Sequence, residues 1–339
     1  MDLLPLLYTH KLYHFNISDD LNFITFKGGA PLYLGDLKNN TLNILKKDNS
    51  SYDSTFSEDK SFAVLKSDSS CFFASESFQN KMHIRYPAKD YTLGFQKSLV
   101  YKDSFFIFCK TYLENDETET LLFKHTGSKK EIIFRIKGAR CIDNKIHEDA
   151  LYAVFINYER DKVFVYTRNL NNSEEKLYEF SVDNKNYQTM ICVPQKKLMA
   201  VLVDRKDALL RRTSLQFRKL ESFELLHEEE IFSSVFGVVP SWADIVAICY
   251  GQYVVIAHKS VGLLIYNTDS YSLEKKVYFP LANELAVCDN ENFCCALSSY
   301  PYGDMVVFTP IISDENRQLS KKLEHFFDSN GLKKIVVKE

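Results

Sequence analysis

Short β-prone runs recur along almost the whole chain, and their spacing is the feature that most limits the fold. Each run has four to eight residues rich in Val, Ile, Tyr and Phe, and polar turn formers separate it from the next. The apolar anchors of successive sets lie about 44 residues apart on average, which is the length of a four-strand repeat. The seven anchors are Leu45, Tyr86, Phe123, Tyr166, Phe217, Tyr266 and Phe308.

This spacing favours one all-β architecture over the others. A sandwich does not need seven evenly spaced repeats, and a parallel α/β fold needs helical patterns between its strands, which are not seen before residue 313. We therefore predict an all-β fold, a seven-bladed β-propeller over residues 1–312, followed by a short C-terminal amphipathic helix and tail over 313–339. A strand from residues 1–10, or one from the tail at 333–337, would complete the last sheet and remove an exposed edge.

The clearest single repeat lies at residues 251–280. Runs at 253–257, 263–266 and 276–279 are separated by turn formers, so the segment predicts three strands in succession. Residues 261–267, Val-Gly-Leu-Leu-Ile-Tyr-Asn, resemble the strand that ends in Trp-Asp in WD40-type propellers, and residues 162–166 are the next best match. The resemblance implies a scaffold that presents loops to other protein subunits.

The C-terminal segment has a helical pattern. Asp314 and Glu315 suit a first turn, and Gly331 suits a C-cap, so we predict a helix over 314–330. Four apolar residues fall on one helical face, either docked on the propeller, which we favour, or offered to a partner as a helix in a groove. They are Leu319, Leu323, Phe326 and Phe327.

Composition excludes several classes of function. The chain has 339 residues with 42 basic and 45 acidic side chains, so its formal net charge of −3 gives no strong signal for nucleic acid. Most of the eight cysteines sit in apolar runs, which is typical of buried free thiols in a reducing compartment. Without a secretory pattern or a transmembrane run, we expect a cytoplasmic or nuclear protein.

No motif for chemistry stands out. Phosphate-loop, dinucleotide and zinc-protease patterns are missing, and the adjacent Cys294 and Cys295 would point to opposite faces of a strand. His227, followed by three glutamates, is interpreted as a solvated acidic turn rather than a ligand cluster. We therefore expect no catalytic residue, no metal site and no cofactor, and predict that the protein is not an enzyme; a propeller enzyme stays a third class, without nominated residues.

One basic motif points to a different class of function. Leu210, Arg211, Arg212 and Thr213 resemble the Leu/Phe-Arg-Arg-Gly signature of the phosphoinositide-binding propellers of autophagy, with Thr213 in place of the glycine. The resemblance implies that Arg211 and Arg212 each bind a lipid phosphate at a membrane surface. We prefer a solvated basic hairpin over 205–219. The same hairpin could touch RNA backbone, but no RNA-binding signature with interleaved aromatics accompanies it.

The leading hypothesis is thus a non-catalytic protein-interaction scaffold, a WD40-like subunit of an intracellular multiprotein complex. The alternative is a phosphoinositide-binding propeller in peripheral contact with a membrane.

Overall fold

Most of the chain is antiparallel strand. The computed structural model describes the backbone of residues 2–8, 12–17, 22–28, 32–46, 52–56, 62–66, 70–74, 81–85, 94–102, 104–112, 117–126, 129–182, 187–206, 210–235, 243–248, 250–258, 260–277, 282–287, 294–299, 305–311 and 314–331. Side chains are described within 22–24, 33–44, 99–276 and 317–331.

The described residues form 28 strands, one 3-10 turn (Pro194–Lys196) and one α-helix. The first fourteen strands are β1 (Asp2–Tyr8), β2 (Leu12–Ile17), β3 (Phe23–Gly28), β4 (Leu32–Asp36), β5 (Thr41–Lys46), β6 (Tyr52–Phe56), β7 (Phe62–Lys66), β8 (Ser70–Ala74), β9 (Lys81–Arg85), β10 (Gly94–Tyr101), β11 (Ser104–Tyr112), β12 (Thr118–Thr126), β13 (Lys129–Lys137) and β14 (Ala139–His147). The others are β15 (Ala150–Asn157), β16 (Lys162–Asn169), β17 (Glu175–Ser181), β18 (Tyr187–Val193), β19 (Leu198–Lys206), β20 (Leu210–Lys219), β21 (Leu225–Val235), β22 (Ala243–Ile248), β23 (Tyr253–His258), β24 (Gly262–Asn267), β25 (Leu273–Val277), β26 (Ala282–Val287), β27 (Cys294–Ser299) and β28 (Met305–Ile311), with α1 at Asp314–Ser329.

Strand order sorts these strands into seven groups of four. We number them in chain order: sheet 1 (β2–β5), sheet 2 (β6–β9), sheet 3 (β10–β13), sheet 4 (β14–β17), sheet 5 (β18–β21), sheet 6 (β22–β25) and sheet 7 (β26–β28 with β1). Within sheets 1 and 3 to 6, consecutive strands pair as antiparallel neighbours, so each fourth strand lies at a sheet edge. The three strands predicted within residues 251–280 are β23, β24 and β25, which pair in that order.

The number of blades differs from the sequence prediction. The propeller that the structure supports has five blades, not seven. The prediction of seven blades is therefore corrected, whereas the all-β propeller and the single short helix are confirmed. The spacing of about 44 residues gives the number of strand sets along the chain. It does not show that each set packs as a blade.

Contacts divide the chain into two compact units. Unit 1 comprises Met1–Lys60 and Pro240–Glu339, and unit 2 comprises Ser61–Val239. In unit 1, β1 pairs antiparallel with β28, with Asp2 opposite Ile311 and Tyr8 opposite Met305. The N-terminal strand therefore completes sheet 7, as one of the two sequence alternatives expected. The predicted division at 312/313 stays a prediction.

In unit 2, alternation along the strands builds two cores. On β15, Ala153 and Phe155 pack in a cluster with Phe106 and Phe108 of sheet 3, while Val154 and Ile156 face the opposite way. That second set packs in a cluster with the β18 and β19 side chains of sheet 5. Because successive side chains of a strand point to opposite faces, sheet 4 is buried on both sides. β14 in turn packs against β10 and β18, which brings the first strands of sheets 3, 4 and 5 together.

Helix α1 matches its sequence prediction closely. It ends at Ser329, and Gly331 follows with a φ of 73°, the left-handed conformation that a C-cap glycine supplies. The helix packs against β1 and β28 within unit 1. Its position is therefore fixed by sheet 7.

Candidate interaction surface

The arginine pair singled out in the sequence lies within a strand. Arg211 and Arg212 are the second and third residues of β20. Neighbouring residues of a strand point to opposite faces, so the two guanidinium groups diverge. The 205–219 segment is nevertheless a hairpin, because β19 and β20 pair directly.

Arg211 forms the strongest ion pair of this hairpin. Its Nε donates to Oδ1 and Oδ2 of Asp204 at 2.9 and 2.7 Å, and its Nη2 also contacts Oδ2. The Asp204 side chain is 8% exposed and that of Arg211 19%. A two-pronged guanidinium–carboxylate contact of this kind is strong and directional. The charge of Arg211 is thus compensated inside the sheet.

Two other cations of the hairpin meet carboxylates of β21. Arg205 lies 3.0 Å from Glu228, and Arg212 lies 3.7 Å from Glu230. The segment of His227 and its three glutamates was interpreted as an acidic turn; this is wrong, because it forms the middle of β21, which runs beside β20. Cross-strand pairing brings acids and bases together that are far apart in sequence. The phosphoinositide role of Arg211 and Arg212 stays a prediction.

The apolar helix face is placed inside unit 1. Leu323, Phe326 and Phe327 are fully buried, and the Phe326 and Phe327 rings meet edge to face at 5.4 Å between centroids. The side chain of Leu319 lies outside the described residues. Phe326 packs against Gly35 of β4 and Ile24 of β3. Partner binding through this face stays a prediction, and it requires the helix to leave this packing.

Exposed apolar side chains concentrate at sheet edges instead. Seven large apolar side chains are exposed in the described part of the chain, and five of them lie on fourth strands, between 38% and 65% exposed. Tyr158 and Tyr250 are the two in turns. The five on fourth strands are Ile44 (β5), Leu177 (β17), Leu225 and Val235 (β21) and Leu273 (β25). We call these five residues the edge set; sequence periodicity did not single them out, because a half-buried edge has the same pattern as a core strand.

A buried histidine and a buried thiol lie on sheet 3, beside an exposed lysine. Lys130 stands opposite His125 in the pairing of β12 and β13, with its Nζ 4.4 Å from the centre of the Phe123 ring. Burial, and next the Lys130 charge, lower the pKa of His125 to about 4. Burial raises the pKa of the Cys109 thiol and lowers that of Lys130. Cys109 is therefore a protonated, unreactive thiol at neutral pH.

A second thiol helps to join sheets 4 and 5. Asp143 Oδ2 on β14 accepts hydrogen bonds from the backbone N–H of Cys192 at 2.8 Å and from its thiol at 3.2 Å. Cys192 lies on β18, so the contact links two first strands. Cys109, Cys141 and Cys192 are all buried free thiols, as the sequence predicted for cysteines in apolar runs.

The part of the chain that the structure describes has no metal-ion cluster and no membrane-spanning helix. Over the described residues, no group of three or more His, Cys, Asp or Glu side chains is arranged to hold a metal ion. Within the same ranges, no helix has the length and apolar character needed to cross a membrane.

Comparison with known proteins identifies the fold and no family. No family model matches the chain, and no curated protein matches it. Among solved structures, oligogalacturonate lyase from Vibrio parahaemolyticus is similar with a TM-score of 0.58 and 12% identity, over 91% of this chain and 92% of that one. BamB from Moraxella catarrhalis has a TM-score of 0.52 and 12% identity, over 87% and 84%. YCF48 bound to D1 peptide has a TM-score of 0.59 and 10% identity, over 91% and 94%.

These similarities change one prediction. The expectation that the chain is not an enzyme does not stand, because a lyase is among the proteins with a similar structure and the fold therefore gives no ground for excluding catalysis. At 10–12% identity the similarities show architecture alone. The chain shares the β-propeller fold with these three proteins.

Proposed function

We propose that this protein is an interaction scaffold that binds other proteins along the fourth strands of its sheets. The observation that carries the proposal is the edge set, in which five of the seven exposed large apolar side chains of the described residues share this one position. Apolar side chains exposed at a surface are typical of protein interaction sites where they gather into patches. Fourth strands also offer an unused backbone edge to an extended partner.

The rest of the sheet provides a rigid support for such a surface. In unit 2, the strands beside β17 and β21 are anchored by buried side chains, Val163 and Val165 on β16 and Leu215 and Phe217 on β20. A partner that binds the fourth strand therefore binds a preformed edge, and the entropy cost of ordering this edge is small. The YCF48 structure, which is bound to a D1 peptide, shows that a protein of similar fold holds a peptide.

The finer assignment is a WD40-like subunit of an intracellular multiprotein complex. Tyr266 and Asn267 stand at the end of β24, the third strand of sheet 6, where the Trp-Asp pair of WD40 repeats is expected from the sequence resemblance. The three buried free thiols, Cys109, Cys141 and Cys192, suit a reducing compartment such as cytoplasm or nucleus.

The proposal is tested by isolating the tagged protein from its native source and measuring the stoichiometry of any bound partner. The decisive variant replaces Leu177, Leu225 and Leu273 by Lys, one on each of three fourth strands. We expect loss of a stoichiometric partner with an unchanged melting temperature. Tyr250→Asn removes an equally exposed apolar side chain from a turn and should keep the partner; Asn tolerates the positive φ of 51° at this position. A partner retained by the triple variant would contradict the proposal.

A further inference from the structure

One fourth strand, β21, differs from the others in its length and its lack of cations. It has eleven residues, more than any other described strand, and it ends the order of sheet 5. Leu225 and Val235 of the edge set lie at its two ends. A long edge strand presents a row of N–H and C=O groups that pair readily with another chain.

Natural proteins commonly protect such an edge with lysine or proline, and other fourth strands of this protein follow the rule. β13 has Lys129, Lys130, Arg135 and Lys137, and β25 has Lys275 and Lys276. β21 reads Leu-Leu-His-Glu-Glu-Glu-Ile-Phe-Ser-Ser-Val and contains no Lys, Arg or Pro. Its last five residues, 231–235, carry no charge at all. The edge is therefore left open to pairing.

The charge on β21 indicates what can pair with it. Glu228 forms an ion pair with Arg205 at 3.0 Å, whereas Glu229 makes no ion pair within the described residues. Glu230 has only a 3.7 Å contact with Arg212, and both side chains are nearly half exposed. An exposed contact of this length contributes little and leaves the carboxylate available. The middle of the strand is thus an anionic position on an otherwise uncharged edge.

A second copy of the chain fits this edge poorly when it pairs about the glutamates. Antiparallel pairing of two β21 strands about Glu230 puts this residue opposite itself, and parallel pairing in register aligns all three glutamates with their copies. Like charges directly opposite each other across a strand pair are destabilising. The complementary occupant has the opposite charge at this point.

We propose that the free edge of β21 binds an extended segment of another protein by strand addition. The segment has Lys or Arg opposite Glu229 and Glu230, and uncharged β-branched or aliphatic residues opposite 231–235. Backbone hydrogen bonds supply affinity in this mode, and side chains on the added strand supply specificity. This inference rests on the proposed function and names the class of partner at one edge.

The probe is a fluorescein-labelled, N-acetylated peptide, Val-Thr-Val-Thr-Val-Lys-Lys-Thr, which in antiparallel addition places its lysines opposite Glu230 and Glu229 and its uncharged run opposite 231–235; it is titrated with the full-length protein and followed by fluorescence polarisation. One matched peptide has Glu-Glu in place of Lys-Lys, and another has Pro in place of the central Val. We expect saturable binding of the lysine peptide and binding of both matched peptides at least about tenfold weaker, since charge complementarity and strand pairing are both required.

Two protein variants locate the binding. Glu229→Lys/Glu230→Lys should reverse the preference, so that the glutamate peptide binds better than the lysine peptide. Val235→Lys, at a 65% exposed position that tolerates the change, should weaken the lysine peptide severalfold. Glu131→Lys, an exposed glutamate on the fourth strand of sheet 3, is the matched control and should bind like wild type. Circular dichroism and melting temperature verify that each variant is folded.

Four outcomes overturn the inference. The first is equal binding of the lysine and glutamate peptides; the second is a preference that Glu229→Lys/Glu230→Lys does not change. The third is a wild-type dimer in sedimentation that dissociates in Val235→Lys, because the occupant would then be a second copy. If the lysine peptide does not bind but the triple fourth-strand variant still loses its native partner, this inference is wrong and the proposed function stands.

Discussion

Phe326 of helix α1 occupies the space that a side chain at Gly35 would need. A Cβ atom placed on Gly35 would lie 2.5 Å from Cζ of Phe326 and 2.7 Å from Cγ1 of Ile24. Glycine at this point of β4 therefore permits the close approach of helix and sheet, rather than an unusual backbone conformation. The contact fixes the C-terminal helix to sheet 1 within unit 1.

The first prediction follows from this contact. Gly35→Ala should destabilise unit 1 by about 1–3 kcal/mol, the usual cost of overpacking a well-filled core. The urea midpoint of unfolding measures the loss. Gly35→Ala/Phe326→Leu should recover part of it, because the smaller side chain frees the space taken by Cζ. Gly138→Asn is the control, since nothing lies within 4 Å of that position and Asn accepts its φ of 63°. An unchanged midpoint for Gly35→Ala would show that the helix does not pack here.

Deleting the buried helix face should have a larger effect. We expect Phe326→Ala to cost about 3–5 kcal/mol, because it removes apolar contacts and leaves a cavity beside Gly35. Lys321→Ala, on the exposed side of the same helix, should leave stability within about 0.5 kcal/mol. Denaturant unfolding compares the two. If Phe326→Ala were as stable as Lys321→Ala, the helix face would be free for a partner, as the alternative from the sequence supposed.

The two arginines of β20 should behave differently from each other. Arg211→Ala leaves the carboxylate of Asp204 buried without its guanidinium, so we expect a loss of about 2–3 kcal/mol in stability. Arg212→Ala removes only an exposed contact of 3.7 Å with Glu230 and should cost about 0–1 kcal/mol. Thermal or urea unfolding measures both.

The same variants test the lipid alternative. Flotation with phosphoinositide vesicles should be the same for wild type and for Arg211→Ala/Arg212→Ala if both side chains serve the sheet. Phosphoinositide-dependent flotation that the double variant abolishes, while it remains folded, would support the autophagy-type propeller over the scaffold.

The buried histidine of sheet 3 predicts a pH dependence of stability. The pKa of His125 is lowered to about 4 by burial and by Lys130, whereas an unfolded histidine titrates near 6.5. The unfolded chain thus binds more protons than the folded chain between these pH values. The folded protein therefore keeps its full stability above about pH 6.5 and loses on the order of 3 kcal/mol of its free energy of unfolding as the pH drops towards 4.

His125→Phe should flatten this part of the pH profile, because an apolar ring in the same place takes up no proton. His325→Gln removes a histidine from an exposed helix position and serves as the control. Unfolding midpoints at several pH values between 7 and 4.5 provide the measurement. A wild-type profile that does not fall over this range, or one that His125→Phe leaves unchanged, would contradict the buried neutral imidazole.

The strand framework could be predicted from the sequence because it depends on local alternation. Four of the anchors that set the repeat, Phe123, Tyr166, Phe217 and Tyr266, all lie on third strands and are buried. Helix α1 was predicted to within one residue, since a 3.6-residue period and a glycine cap are also local signals.

The candidate surface could not be predicted in the same way because its features are long-range. Arg211 and Arg212 were interpreted as part of a solvated basic hairpin. Only the pairing of β20 with β19 and β21 shows that Arg211 contacts Asp204 and Arg212 contacts Glu230. The sequence likewise indicates an acidic turn at Glu229, whereas the structure places this residue on an edge strand, β21. The prediction of seven blades was wrong for a related reason, because regular spacing along the chain does not establish packing between sheets.

The most direct measurement of the central claim is hydrogen–deuterium exchange of the protein with and without its co-purified partner. We expect the amides of the fourth strands β17, β21 or β25 to exchange more slowly when the partner is bound. The exchange rates of the third strands β16, β20 and β24 should stay the same. Slower exchange confined to the turns, with every fourth strand exchanging as fast as in the free protein, would contradict it.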